Sequence, residues 1–260
     1  MKTWENSNNR LDAIFVSTED RFSSGKSLRG LSWLKPQDVK GSSFKCTSNY
    51  IYEDIDDFNK FKNSKILVVG GGPSSIDVTL QLEDYDYIFS CNHFFKSKKF
   101  KDVNLDVLFI GNEVDTFSSS FVEYCKKSST YLAVEDLEWR PKHRLNLLNN
   151  FREKAFLCSS RYQSKLTGAA SKMCMFALEL GAKQLDFIGI DGVPPDYNQK
   201  ELMPHGFQDK KLFRKTNEPY TKIIEHYKHF DAYIRYGYPD CNINNLGRFC
   251  KYNYAHEKQR

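Results

Sequence analysis

Short apolar runs that stop at glycine, asparagine or other polar residues recur along the chain after residue 64. The run Lys65–Val69 is continuous and rich in β-branched residues, as expected for a strand buried on both faces of a parallel sheet. Shorter runs predict further strands at Tyr87–Ser90, Val107–Ile110, Thr130–Val134, Gln184–Asp191 and Ala232–Tyr236. Each predicted strand is followed by a loop that is polar or contains glycine.

Helical spacing of apolar residues appears between these strands. Thr167–Leu180 is the clearest helix, because Met173, Phe176 and Leu180 share one face and Gly181 follows as a stop signal. Further helices are predicted at Ile76–Leu82, Ser119–Lys126 and Tyr220–Phe230. Strands that alternate with helices predict an α/β fold, with a Rossmann-like, mostly parallel sheet and helices on both faces.

The first part of the chain has a different character. Residues 1–63 are rich in Ser, Asn, Asp and Lys and have weak periodicity, so we expect an N-terminal arm that is partly irregular. Residues 64–260 are expected to form a single domain. The acidic run Asp54–Asp57 resembles a metal-binding Asp-x-Asp pattern, but it follows no core strand and is better explained as an acidic surface loop.

The first strong strand ends in the turn Gly70-Gly71-Gly72-Pro73-Ser74-Ser75. Glycines permit close approach of the backbone to a ligand, and the N–H groups at a helix start favour a phosphate. The turn lacks both the P-loop pattern and the dinucleotide fingerprint G-x-G-x-x-G. An ordinary strand-to-helix turn is the simpler alternative, but the strand before it and Pro-Ser-Ser after it favour phosphate or nucleotide binding.

Polar residues stand at the ends of other predicted elements. Asn92 and Asn112 follow two strands, and Asp191 follows the strand that begins at Gln184. Ligands of open α/β sheets bind outside the carboxyl ends of the strands, where amide and carboxylate groups can bind a ribose, a base edge or a phosphate. Thr167-Gly168 opens a helix, so Thr167 is either a helix cap or a group facing an anionic ligand.

The polar segment after Asp191 runs to Lys215 and is predicted to be a lid-like loop over the site. It contains His205, whose ring has the pKa range needed for proton transfer near neutral pH. A loop histidine without a catalytic role is the alternative. His93, beside Asn92, is a second histidine near the strand ends.

Composition limits the remaining function classes. The net charge of +5 lacks the dense basic stripe of a nucleic-acid-binding protein. Seven scattered cysteines without zinc spacing argue against a metal centre and for a reducing compartment.

The polar start of the chain predicts no signal peptide, so we expect a cytoplasmic protein. Basic runs near Lys98 and Lys142 leave open a peripheral contact with the inner face of the membrane. Homo-oligomerisation is also left open.

Two stretches resemble the start of the bacterial CMP-sialic-acid-dependent sialyltransferases. That family has a strand, G-x-G-P-S and a second strand ending in C-N-x-F, which are similar here to residues 65–75 and 89–95. Residues 166–181 and Phe187-Ile188-Gly189-Ile190-Asp191 resemble its second signature helix and strand. The likeness extends over roughly residues 65–250, although its specific motifs are much shorter. Related G-x-G-P-S proteins include flagellin-modifying transferases and a pterin diphosphokinase group.

The resemblance implies a glycosyltransferase that uses a CMP-sugar as co-substrate, a glycan acceptor, no other cofactor and no metal. It implies that Gly72, Pro73 and Ser74 lie at the CMP phosphate. It further implies that Asn92, Asn112, Thr167 and Gly168 contact the donor and that Asp191 lies at its cytidine end. Tyr197 is the implied partner of the departing CMP, and His205 is the implied base.

Two other classes of function remain open at this stage. A pyrophosphokinase-type enzyme would use the same turn for ATP and would need Mg²⁺ and clustered carboxylates. A nucleotide-binding module without catalysis would bind CMP but would be insensitive to substitution of His205. The sugar is also open, because another CMP-linked 2-keto sugar, such as a 3-deoxy-octulosonate, fits the same motifs.

Overall fold

The computed structural model describes residues 56–77, 79–100, 102–111, 113–135, 143, 146–147, 150–151, 153–158, 167–193, 203–212 and 220–250. The strands are β1 (Lys65–Val69), β2 (Tyr87–Cys91), β3 (Val107–Ile110), β4 (Tyr131–Glu135), β5 (Ala155–Cys158), β6 (Gln184–Ile188), β7 (Met203–His205), β8 (Gln208–Leu212) and β9 (Asn242–Asn245). The α-helices in the described ranges are α1 (Ser74–Asp77), α2 (Ser119–Lys127), α3 (Gly168–Glu179) and α4 (Tyr220–Gly237).

Seven strands form one parallel sheet in the order β5-β4-β3-β2-β1-β6-β9. The chain moves outward from β1 to β5 and then returns to place β6 on the other side of β1. Because parallel crossovers are right-handed, this reversal puts α3 and α4 on one face and the earlier connections on the other. The prediction of a Rossmann-like α/β domain is confirmed.

Aromatic side chains fill the layer between the sheet and α3. The Phe58 ring lies 5.0 Å from the rings of Tyr131 and Phe156 and 5.9 Å from that of Phe176. Phe58 belongs to a short 3₁₀ helix, Asp56–Phe61, just before β1. Its side chain is buried, so the packed core of the domain extends at least to Phe58, a few residues before the expected boundary at residue 64. The rest of the predicted arm, residues 1–55, lies outside the described residues.

The strand predicted at Ala232–Tyr236 is wrong. The helix that begins at Tyr220 continues through this segment to Gly237. Tyr233 and Ile234 stand three and four residues after Phe230, and all three side chains are buried on one face of α4. No glycine or proline interrupts the sequence before Gly237, so the β-branched and aromatic residues extend the helix. The last strand is instead the polar β9.

The helix predicted at Ile76–Leu82 is also different. The structure has the single turn α1 immediately after Pro73, then a separate 3₁₀ turn at Leu82–Asp84. Proline is favoured at helix starts, which moves the start of the helix back to Ser74. The predictions for α2 and α3 agree with the structure to within two residues.

A buried carboxylate holds the polar strand β9 against β6. Asp186 is 4% exposed and accepts hydrogen bonds from Tyr85 Oη at 2.8 Å, Gln184 Nε2 at 3.0 Å and Asn244 Nδ2 at 2.9 Å. Burial, followed by the hydrogen bond to Asp186, raises the pKa of Tyr85 above its ordinary value. The carboxylate therefore joins two strands and the loop before β2.

Asp186→Ala is expected to lower the free energy of unfolding by about 2 kcal/mol, because three donors lose their shared acceptor. Urea denaturation followed by circular dichroism measures this change. Asp231→Ala is the matched control, since that carboxylate pairs with Arg235 at 3.0 Å on the exposed side of α4. The control should change stability by less than about 1 kcal/mol. Equal effects of the two substitutions would show that Asp186 does not hold the strands together.

Candidate functional site at the carboxyl edge of the sheet

The order of strands reverses between β1 and β6, and both strands end at the same edge. β1 continues into the turn Gly70–Ser75, and β6 continues into Gly189–Asp191. In open α/β sheets a ligand binds in the crevice outside the carboxyl ends of the strands at such a reversal. The sheet therefore brings two of the sequence-predicted segments together where a ligand site is expected.

The two loops are joined by a set of short hydrogen bonds. The Gly72 N–H donates to the Gly189 carbonyl at 2.9 Å, and the Ser74 N–H donates to Asp191 Oδ2 at 2.8 Å. In return, the Gly189 N–H donates to Ser74 Oγ at 2.9 Å. Asp191 is 3% exposed, so its carboxylate is a buried link between the loops.

Glycine is required here because the two backbones touch. A Cβ built on Gly72 would collide with Asp191 Oδ2 and lie 2.7 Å from the Gly189 carbonyl oxygen. A Cβ on Gly189, whose φ is +75°, would collide with the Gly70 carbonyl oxygen. The glycines therefore allow one loop to approach the other closely. The sequence alone does not show whether such glycines allow the approach of another loop or of a ligand.

The N–H groups of the glycine turn are used within the protein. Those of Gly72 and Ser74 cross to the second loop, the Gly70 N–H donates to the Ile188 carbonyl at 2.7 Å, and the Ser75 N–H donates to the Gly72 carbonyl at 3.1 Å. The Gly71 N–H bonds the Cys91 thiol, which partly offsets the rise in the pKa of that thiol to about 12 caused by burial. These N–H groups thus have acceptors within the protein, and the binding of a phosphate at this turn stays a prediction.

Asn92 links the ends of β2 and β3. Its φ is +50°, in the left-handed region that asparagine tolerates better than most residues. Its Oδ1 accepts from the Gly111 N–H at 2.8 Å, and its Nδ2 donates to Glu113 Oε2 at 3.3 Å. The side chain is partly exposed and stands at the predicted edge. Asn112 lies outside the described residues.

The start of α3 packs against the glycine turn. A Cβ built on Gly70 would lie 2.9 Å from the Ala170 Cβ, which places the first turn of α3 beside β1. The Thr167 hydroxyl is 2.8 Å from Ser171 Oγ and makes no capping bond, so the expected helix cap is absent at this residue. Gly168 has a φ of +78°, and a Cβ built on it would meet nothing within 4 Å. No described residue therefore lies against this side of the helix start.

A β-hairpin occupies part of the segment predicted to be a lid-like loop. β7 and β8 pair antiparallel, and the Gly206 N–H in their turn donates to the Gly71 carbonyl at 2.9 Å. Ser97 Oγ donates to the Gly206 carbonyl at 3.3 Å, and the buried Phe207 ring lies 5.4 Å from that of Phe94. The tip of the hairpin is thus docked on the glycine turn.

His205 is the residue immediately before Gly206, so the docked turn places its backbone beside Gly71. The side chain of His205 lies outside the described part of the structure, and its catalytic role stays a prediction. Tyr197 lies outside the described residues.

Sequence reasoning missed two lysines near the site. Lys99 Nζ donates to the carbonyls of Ser75 and Ile76 at 2.8 and 3.0 Å, which fixes the end of the glycine turn. Lys172 Nζ lies 5.5 Å from the centre of the Phe109 ring, near the end of β3. Lys172 is the one charged residue in the sequence between Gly168 and Leu178. A single charge in an apolar helix was the sequence feature that could have pointed to it.

Among the described residues, no helix combines the length and apolar character needed to cross a bilayer. The same residues contain no group of three or more His, Cys, Asp or Glu side chains arranged to hold a metal ion. Comparison of the chain with models of known protein families finds no match, and comparison with curated proteins finds no significant match.

Proposed function

We propose that the chain is a glycosyltransferase that moves a sialic acid or a related 2-keto sugar from a CMP-linked donor to a hydroxyl of a glycan acceptor. The observation that carries the proposal is the hydrogen bond from the Gly206 N–H to the Gly71 carbonyl at 2.9 Å. It brings the backbone of the candidate base, His205, to the candidate donor site.

Convergence of distant segments gives further support. The glycine turn, Asn92, Thr167-Gly168 and Gly189–Asp191 come from four separate parts of the chain and lie at the carboxyl edge of β1, β2 and β6. These are the segments that resemble the sialyltransferase motifs. Such an edge can bind many ligands. The fold therefore supports the position of the site, and the resemblance supports a CMP-sugar as the donor.

The proposed reaction is a single inverting displacement. The acceptor oxygen forms a bond to the anomeric carbon while the bond from that carbon to the CMP phosphate oxygen breaks. CMP leaves with the electron pair, and the acceptor proton passes to His205. General-base help of this kind contributes roughly 10²–10⁴ in rate. Tyr197 would stabilise the departing phosphate, and no metal takes part.

The glycine turn has a supporting role in this proposal. Because its N–H groups bond Gly189, Asp191 and other acceptors within the protein, it forms a rigid wall of the site. A rigid wall holds the hairpin, and hence the base, in a fixed position relative to the strand ends.

A thermal-shift screen with CMP, UDP, GDP, ATP and NAD tests the proposal. CMP at 100 times its dissociation constant should stabilise the fold by about 2.7 kcal/mol, and the other nucleotides should stabilise it less. Transfer from CMP-sialic acid should then persist in excess EDTA. Stabilisation by ATP and Mg²⁺ alone would contradict the proposal and favour a pyrophosphokinase. CMP binding without any transfer would favour a non-catalytic module.

A further inference from the structure

The donor in the proposed reaction is an anion, yet the glycine turn directs its N–H groups into the protein. A cationic side chain stands at the same edge of the sheet. Lys172 lies on α3, one helical turn after Gly168, and its Nζ is 5.5 Å from the centre of the Phe109 ring. Side chains on a helix lean toward its N-terminus, and the start of α3 is at the carboxyl edge of the sheet.

The ring beneath Lys172 belongs to the site already described. A Cβ built on Gly111 would lie 3.7 Å from Phe109 Cε1 and 3.0 Å from Asn92 Oδ1. The Phe109 ring and the Asn92 carboxamide therefore approach the same point at the end of β3. The Lys172 ammonium and the Asn92 carboxamide therefore both lie near the Phe109 ring at the end of β3.

Lys172 is a charged residue in a stretch of α3 that is otherwise largely buried. The residues of α3 on either side, Ser171 and Met173, are buried, as are the following Cys174 and Phe176. Burial lowers the pKa of Lys172 to about 8, which leaves the ammonium charged at neutral pH but poorly solvated. Ionisable groups perturbed in this way concentrate at functional sites.

The described residues do not enclose Lys172 completely. Lys172 is partly exposed, and among the described residues none lies within 4 Å of a Cβ built on Gly168, four residues earlier on α3. A ligand at the strand ends can therefore approach α3 from this side without displacing a described side chain.

We propose that Lys172 binds the anionic part of the donor, through either the phosphate or the carboxylate that a 2-keto sugar carries at its anomeric carbon. The identity of the donor rests on the proposed function, whereas the preference for a phosphate or carboxylate anion rests on Lys172 and its surroundings. A neutral sugar linked to an uncharged carrier offers nothing to this ammonium.

Isothermal titration calorimetry with Lys172→Met tests the proposal, with cytidine, CMP and CMP-N-acetylneuraminate as ligands. Lys183→Met, an exposed lysine at the opposite edge of the sheet, is the matched control. Lys172→Met should weaken binding by about 10-fold or more, while Lys183→Met should have no effect. Weaker CMP binding with unchanged cytidine binding identifies the phosphate, and loss confined to CMP-N-acetylneuraminate identifies the sugar carboxylate. Unchanged affinity for both charged ligands overturns the proposal.

Thermal melting separates binding from a structural role. The melting temperature of Lys172→Met is measured beside its affinity. A lower melting temperature with unchanged affinity means that Lys172 is structural, and it overturns the proposal. Lys172→Gln repeats the titration if the methionine variant does not fold, and Lys172→Arg should retain part of the affinity because it retains the charge.

Failure of the proposed function can be distinguished from failure of this inference. If the wild-type protein does not bind CMP, the CMP-sugar reaction is excluded, and inorganic pyrophosphate becomes the probe for Lys172. Pyrophosphate binding that Lys172→Met weakens about 10-fold or more supports the anion site with another donor. Equal pyrophosphate binding by both proteins, or none by the wild type, overturns it.

Discussion

Gly72→Ala should destabilise the protein by about 4 kcal/mol or more and leave little folded protein at 37 °C. The added Cβ would collide with Asp191 Oδ2 and lie 2.7 Å and 3.0 Å from the Gly189 carbonyl oxygen and carbon. Two of these three atoms are backbone, and the loop that carries them is hydrogen-bonded to Gly72 and to Ser74. The neighbouring atoms therefore cannot move without breaking those bonds. Chemical denaturation followed by fluorescence measures the loss.

Gly237→Ala is the matched control for this substitution. Gly237 is the last residue of α4, and a Cβ built on it meets nothing within 4 Å. Alanine is favoured over glycine in helices, so this variant should be neutral or more stable by up to about 1 kcal/mol. If the Gly72→Ala variant were as stable as the Gly237→Ala variant, the inference that the two loops are in close contact at Gly72 would be wrong.

His205→Ala should lower turnover by about 10²-fold or more, as expected for loss of a general base. The dissociation constant of CMP should change little, because the base contacts the acceptor. The pH–rate profile should lose its acidic limb, since a histidine base is inactive when protonated and its ordinary pKa is near 6.5. Steady-state kinetics at saturating donor between pH 5 and 8 provide the measurement.

His229→Ala is the control for this second substitution, because His229 lies in the middle of α4 and belongs to none of the candidate site segments. It should leave turnover and the pH–rate profile unchanged. Near-normal turnover of His205→Ala would remove His205 from the mechanism, and His93 would be the next residue to test. Normal turnover combined with weak CMP binding would make His205 a donor ligand instead.

Five of the seven strands of the sheet, β1, β2, β3, β4 and β6, were predictable because each carries its own apolar signal, whereas β5 and β9 were not predicted. In β1 and β3 every residue is apolar after the first position of β1, and burial on both faces follows from that pattern. β9 has no such signal, since Asn242, Asn244 and Asn245 are polar and only Ile243 is apolar. Asn244 fits in this strand because it donates a hydrogen bond to Asp186, and the two residues meet only after the chain has folded.

The sequence predicts where the candidate site lies, but it does not predict the contacts that the structure shows there. Strand ends and glycines identify the carboxyl edge, because local sequence determines where a strand stops. Whether Gly72 faces a ligand or another loop depends on Gly189, which is far away in the sequence and carries no side chain to signal the contact. Lys172 is placed near the candidate site by its contact with Phe109, which lies on another element. The periodicity of α3 therefore could not reveal this position.

The position of β1 between β2 and β6 has a consequence for biosynthesis. Ser74 and Asp191, which join the two loops, are 117 residues apart in the chain. At ribosomal rates of about 5–20 residues per second, roughly 6–23 seconds separate their emergence. During that interval β1 has β2 on one side and an open, β-branched edge on the other, where newly made chains can pair with each other. The carboxyl edge of the sheet therefore assembles late, and pairing of β1 with β6 closes the edge that β1 leaves open until then.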